Sequence, residues 1–351
     1  MRFSTSIATA AALAGVVSAH PKPPNACGTC PPFSGNFSIK QYQVYPENAD
    51  FDFINCKLYV GQLLNASLGI YDPYTSTHKT IEFAGISHNP AFHLGAVAAD
   101  RNGHISLIAN PANAFPSLGK DISGTNWLIK YDPTTDSVLW KTNLTETSQG
   151  VYGGFQDIEH DPNGNLFVVG SLPGSLLRVD RSGKEVRPWY LPDTIVQTEL
   201  GMGGIAALGW LLLAQGDASG KIWRFDMKAD KGVPYPIPVS GNHTFGTSDA
   251  IYLPPKYSGT VLLVAEAKLG ISVFRSKDAK WDAAEYLGLV PRPSSLENGT
   301  DVVAPVQIAE SVYMLVEQFG DQGLNGPNTA GNRTEFPFFD ISSEVGRLLQ
   351  V

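Results

Sequence analysis

A short phrase that recurs six times is the strongest constraint on how this chain folds. Ile70-Tyr71-Asp72-Pro73 is followed by Lys130-Tyr131-Asp132-Pro133, Arg178-Val179-Asp180 and Arg224-Phe225-Asp226. Val273-Phe274-Arg275 and Phe338-Phe339-Asp340 complete the series. Taken at the third residue of each phrase, successive copies lie 60, 48, 46, 49 and 65 residues apart. A period in the upper forties, lengthened where loops are inserted, is that of a repeated four-stranded unit.

Each phrase follows an apolar hairpin. Ala96-Val-Ala-Ala99 turns through Asp100-Arg-Asn-Gly103 into Ile105-Ser-Leu-Ile108, and Asp157-Ile-Glu-His160 turns through Asp161-Pro-Asn-Gly164 into Leu166-Phe-Val-Val169. Asn-Gly between two apolar runs is a hairpin signal, because both residues tolerate positive φ. Further copies start at Ile205, Ala250 and Val303, and a compressed one runs from Phe51-Asp-Phe-Ile54 into Leu58-Tyr-Val60. Each unit reads as strand A, hairpin, strand B, loop, strand C ending in the phrase, then an outer strand D such as Thr80–Phe83 or Val138–Thr142. Four antiparallel strands taken six times make an all-β, six-bladed β-propeller. A sandwich would not need six similar units, and a solenoid lacks the four-strand unit. No helix longer than about two turns is expected. The last blade is closed by Arg347–Val351, or Phe37–Tyr45 fills that place or lies beside it as an extra outer strand; either option joins the two ends of the chain and protects an edge.

With 43% hydrophobic residues the chain has ample material for a core. A net charge of -8 with no Lys/Arg run argues against nucleic acid or an anionic membrane as partner. Arg2, the apolar run Ile7–Val17 and Val17-Ser18-Ala19 read as a signal peptide over residues 1–19, too short to span a membrane. A Cys/Pro-rich arm (20–36) then leads into a single propeller (37–351), expected to be a monomer of the secretory pathway, secreted or vesicular. Asn36, Asn65, Asn143, Asn242, Asn298 and Asn332 all stand in N-x-[ST] sequons, as glycoproteins on that route require. Of the three cysteines, Cys56 is expected to bridge Cys27 or Cys30 and staple the arm to the body.

In a propeller the loops that enter strand A and leave strand B share one face, and that rule nominates a site. His93, Gln156, Asp157, Asp249 and Glu317 are the candidate catalytic groups. Phe51, Asp52, Asn110, Phe115, Trp127, Met202, Gln215, Glu266, Lys268, Gln318 and Phe319 are the candidate substrate contacts. Acids and amides mixed with aromatics suit a mainly apolar small molecule oriented by a few polar contacts. His93 serves as acid/base if Asp157 supplies a carboxylate, and otherwise hydrogen-bonds neighbouring backbone. Asp157, Asp249 and Asp301 would ligate a metal or simply accept loop N–H groups. The Asp of the recurring phrase caps turns. Two long B-to-C loops, Asn110–Trp127 and Gly320–Phe336, fall on the same face, as lids or as surface decoration. No elbow, zinc-helix, Walker or dinucleotide motif is present, so neither a metal nor a nucleotide cofactor is expected.

His160-Asp-Pro-Asn-Gly-Asn-Leu-Phe-Val-Val169 resembles the inner hairpin of the lactonase and strictosidine-synthase-like propellers. That resemblance implies a divalent cation near Asp157 and Asp249 and a metal-dependent lactonase, although Glu47-Asn-Ala-Asp50 stands where that family opens with Glu-Gly-Pro. The signal peptide, the Cys/Pro-rich arm, Leu68-Gly-Ile-Tyr-Asp-Pro73 and Trp127-Leu-Ile-Lys-Tyr-Asp-Pro133 resemble more closely a group of fungal secondary-metabolism propellers. The group includes the core trichothecene cluster propeller protein and the hetero-Diels–Alderases of tropolone-sesquiterpene pathways. It implies a cofactor-free, non-redox ring closure on a terpenoid or polyketide intermediate. A non-catalytic propeller binding a small hydrophobic natural product is the third alternative.

Overall fold

A computed structural model of the chain describes residues 30–216, 219–321 and 323–350. Six antiparallel sheets surround one axis, each with four meandering strands. The inner strands, A in each blade, are Pro46–Asp52, Phe92–Ala99, Gly153–His160, Met202–Leu208, Ser248–Tyr252 and Thr300–Ile308. Each contacts the inner strand of the next blade, and the sixth contacts the first, so the ring is closed. Val239–Ser240 adds a short parallel strand outside blade 5.

The turn chemistry places the hairpins. Gly103 and Gly164 take φ of 77° and 83°, and Asp100 and Asp161 accept the N–H of Asn102 and Asn163, each at 2.8 Å. The phrase Asp does the same between strands C and D: Asp72 accepts Tyr74 N–H at 2.9 Å, Asp132 accepts Thr134 N–H at 2.8 Å, and Asp180 accepts Ser182 N–H at 3.0 Å. Apolar side chains of strands A to C meet those of the neighbouring blade in six buried clusters, one at each blade junction. Burial at these junctions is the main source of stability.

Two readings at the chain ends are resolved or corrected. Phe37–Lys40 is strand D of blade 6, paired antiparallel with Glu335–Asp340 in the register Phe37↔Phe338. The alternative closing segment is helical, not extended. Ser342–Leu349 forms a helix of eight residues, just over two turns, which seats Val345 and Leu348 against the junction of blades 5 and 6. Blade 1 is the other correction. Its inner strand is Pro46–Asp52, upstream of the expected Phe51–Ile54, and Ile54 lies in the hairpin turn.

Cys30 and Cys56 form a disulfide across a separation of 26 residues. It ties the arm to the A–B hairpin of blade 1. Cys27 and the expected signal peptide lie outside the described residues. Closing a loop of this size restricts the unfolded chain by about 3 kcal/mol. Cys30→Ser should therefore lower the unfolding free energy by about that amount in denaturant titrations, and an unchanged midpoint would show that the arm needs no staple.

Candidate functional site

All six inner strands carry a register shift near the same end. The shifts fall at Pro46/Ala49, Leu94/Ala96, Phe155/Asp157, Met202/Ile205, Ser248/Ile251 and Val302/Ala304. A bulge leaves a residue out of the ladder and re-aims its neighbours. In four blades the residues so released, Glu47, Gly95, Gln156 and Asp249, line one pocket of about 520 Å³ on the axis. His93 and Asn110 stand beside them, and Leu63, Leu64, Phe115, Pro116, Phe319 and Pro327 supply apolar wall.

The two long loops roof this pocket. Asn328 donates from Nδ2 to Asn113 Oδ1 at 2.8 Å, joining one loop to the other. Asp321 anchors the base of the second loop, accepting two bonds from Arg333 at 2.9 Å and one from Tyr45 O–H at 2.8 Å. Gln43 Nε2 holds Gly331 O at 2.6 Å.

Six of the nominated residues line the pocket: His93, Asn110, Phe115, Gln156, Asp249 and Phe319. The roles of two of these are narrowed by their contacts. His93 is buried, and its Nε2 lies 3.1 Å from Asn328 O, so it donates there and holds the roof. Burial pushes its pKa down, which keeps the ring neutral. Asn110 donates from Nδ2 to Phe155 O of the next blade at 2.8 Å.

Asp157 does not pair with His93. Its Oδ1 accepts Ile158 N–H and its Oδ2 accepts Ile205 N–H, each at 2.9 Å, tying blade 3 to blade 4. Asp50 ties blade 1 to blade 2 in the same way, accepting Phe51 and Ala99 N–H at 2.8 Å. With Glu159 they line a smaller void of about 50 Å³ on the axis. Burial pushes the carboxyls of Asp50 and Asp157 up to about 7.

A raised carboxyl binds its proton more tightly in the folded state. Its contribution to stability is complete below the ordinary value near 4 and is lost as pH rises through about 7, at ~1.4 kcal/mol per unit of displacement. Thermal melts should therefore show stability falling from pH 5 to pH 8, with a flatter slope in the Asp50→Asn and Asp157→Asn proteins. A rise across that window would contradict this assignment.

The remaining nominees lie elsewhere. Phe51 and Asp52 sit at the opposite end of their strand, Phe51 in the core and Asp52 capping Ile54 N–H at 2.8 Å, because strand A begins at Pro46. Met202 is buried between blades 3 and 4, its carbonyl held by Ser171 Oγ at 2.6 Å. Gln215 receives the hydroxyl of Ser248 across the next junction. Glu266 accepts Gly246 N–H at 2.8 Å, faces His243 Nε2 at 3.0 Å and receives the Ser272 hydroxyl. Lys268 pairs with Asp301 at the surface. Trp127 starts strand C of blade 2 and lies under Lys141 Nζ at 4.2 Å. Glu317 and Gln318 are buried in strand B of blade 6; among the described residues the Glu317 carboxyl meets at most the Gln318 backbone N–H, and Gln318 Oε1 has no hydrogen-bond partner.

Glu47, Asp321 and Arg333 are the residues that the nomination missed. The signal for Glu47 was available. Gln156 lies 24 residues before Asp180 and Asp249 lies 26 before Arg275, so counting 25 back from Asp72 reaches Glu47. Burial, then Asp249, Glu317 and Asp157, hold its carboxyl well above the usual range. Among the described residues, no three His, Cys, Asp or Glu side chains are grouped to hold a metal ion.

No protein-family model matches the chain. It is 35% identical to trichothecene biosynthesis protein 14 of Trichoderma arundinaceum, covering 91% of this chain and 92% of that protein. It is 31% identical to core trichothecene cluster protein 14 of Fusarium sporotrichioides, covering 92% and 89%. The crystal structure of the Malassezia sympodialis allergen Mala s 1 shares the fold with a TM-score of 0.74 at 20% identity, covering 88% of this chain and 96% of that one.

Proposed function

Because the chain belongs to the trichothecene cluster protein 14 family of fungal secondary-metabolism propellers, we propose that it closes a ring on a terpenoid intermediate without a redox cofactor. One observation carries this reading: a roofed pocket of about 520 Å³ with an apolar wall, into which the strand bulges deliver two acids and an amide. Such a pocket excludes water and folds an apolar substrate into a reactive conformer. Proximity of that kind is worth up to about 7–11 kcal/mol. Asp249 serves as acid/base toward the reacting oxygen. Gln156, whose amide is fixed by Gly203 O, offers its second N–H to developing negative charge.

The test is metabolite profiling of a deletion strain, followed by incubation of the purified protein with whatever accumulates. An open-ring precursor should build up and be cyclised by the protein alone, in the presence of chelator. Loss of activity in EDTA, or an unchanged metabolite profile, would defeat the proposal.

A secretory route accompanies this reading. The Cys30–Cys56 bond is of the kind made in oxidising compartments, and no helix among the described residues is long and apolar enough to cross a membrane. Four sequon asparagines, Asn36, Asn242, Asn298 and Asn332, are exposed, whereas Asn65 and Asn143 are half-buried. A mobility shift on enzymatic deglycosylation should map to the first four.

A further inference from the structure

The bulge is a position that every inner strand shares, and the blades fill it differently. Glu47, Gln156 and Asp249 stand there in blades 1, 3 and 5, and all three line the roofed pocket. Blade 2 places Gly95 there, between the blades that carry Glu47 and Gln156. Its bare backbone forms that part of the pocket wall.

Nothing in the fold demands a glycine at this point. The bulge accepts other residues, as Glu47, Gln156 and Asp249 show. Gly95 does not take a positive φ, unlike Gly154 in the next inner strand at 62°. A methyl group added at Gly95 would lie 3.4 Å from Asn110 Nδ2 and 3.9 Å from Gln156 Cα and Cβ, which is ordinary contact. Gly203 and Gly204, at the bulge of blade 4, are different. There a methyl group would meet blade 5 backbone, at 3.0 Å from Ser248 O and 2.7 Å from Ile251 N. Glycine inside a strand is less stable than alanine. A strand glycine that neither the backbone nor its packing needs therefore points to space kept open on its free side.

The walls beside that space are apolar. Leu63 and Leu64 belong to the B-to-C loop of blade 1, which Leu94 N–H binds through Leu63 O at 3.1 Å. Phe115 and Pro116 come from the B-to-C loop of blade 2 itself. We propose that Gly95 determines specificity: an apolar branch of the ligand, of methyl size, seats on its bare backbone between Glu47 and Gln156. This rests on the reading of the pocket as a ligand site and adds the shape of ligand it takes, a methyl-branched isoprenoid chain. A branch fills the notch and leaves water for hydrocarbon. A straight chain leaves the notch empty, and so loses nothing when a side chain occupies it.

Two alcohols of equal main-chain length test this, methyl-branched farnesol and straight 1-dodecanol, each titrated calorimetrically into the full chain and compared with wild type probe by probe. Gly95→Ala should weaken farnesol about tenfold and leave 1-dodecanol within about twofold, the scale on which an apolar pocket reads one methyl group. Its denaturant midpoint should equal or exceed that of wild type, because alanine restricts the unfolded chain and fits the folded one. Gly153→Ala is the control: a methyl group there also meets only ordinary contacts, 3.6 Å from Ile122 Cδ1, and Gly153 does not line the pocket. It should bind both probes as wild type does. Unchanged farnesol binding in Gly95→Ala, equal weakening of both probes, or a matching loss in Gly153→Ala overturns the proposal. A fallen midpoint in Gly95→Ala overturns it as well, since the fold would then need the glycine, and so does a wild type that binds 1-dodecanol alone. If wild type binds neither probe, the ligand-site reading itself fails and this inference falls with it.

Discussion

Phe37→Ala is expected to destabilise the protein by about 3 kcal/mol, at the lower end of the cost of truncating a packed Phe. The reason lies in ring closure. Phe37 stands in the four-residue strand that completes blade 6, and its ring packs 4.7 Å from Phe338, 5.5 Å from Tyr71, 5.4 Å from Tyr313 and 5.2 Å from Phe33. Those partners belong to blade 6, blade 1 and the arm, so one side chain clamps both sides of the seam. Losing it frees the edge Glu335–Asp340, whose backbone groups would then face water. Denaturant midpoints should fall, and amide exchange should accelerate first along Glu335–Asp340. Truncation after Gly346, which removes only the last turn of the C-terminal helix, should cost about 1–2 kcal/mol through the lost contacts of Leu348 and Leu349. If that truncation were the more damaging change, the seam would not be held by the N-terminal strand.

How far the molecule could be read beforehand depends on the range over which each feature is encoded. Blade count and strand order rest on local signals that recur along the chain: an apolar hairpin in six copies, an Asn-Gly turn in two of them and a phrase ending in a turn-capping Asp in five. A misread copy is corrected by its siblings. The closing strand has no such copy, because it is the one strand taken from the far end of the chain. Helical spacing at Ile341, Val345, Leu348 and Leu349 was present, but five-residue strands and two-turn helices of mixed composition look alike.

Within the site, the face was legible and the side-chain roles were not. A bulge shifts the register by one residue and leaves no mark in composition, so Gln156 and Asp157 could not be told apart as pocket and junction residues. Asn110, Ser171 and Gln215 share one task, hydrogen-bonding strand A of the following blade. Polar residues at strand ends look like binding groups until the neighbouring blade is in place.

That distinction gives the second large effect. Asp249→Asn should slow the proposed ring closure on the order of 10²–10³-fold, because the amide keeps the shape of the side chain and cannot transfer a proton. Its stability should stay within about 1 kcal/mol of wild type, since the substitution conserves volume at a position facing the pocket. Asp157→Ala should behave in the opposite sense. It strips the acceptor from Ile158 N–H and Ile205 N–H, both in buried strands, at about 1–3 kcal/mol for each orphaned donor. Turnover per folded molecule should change less than about tenfold, because Asp157 faces the lower void and not the roofed pocket. Single-turnover rates and denaturant midpoints on the same preparations separate the two axes. Should Asp157→Ala abolish turnover with an unaltered midpoint, while Asp249→Asn is silent, the reacting group would lie below the bulge layer, and the acid/base role assigned to Asp249 would be wrong.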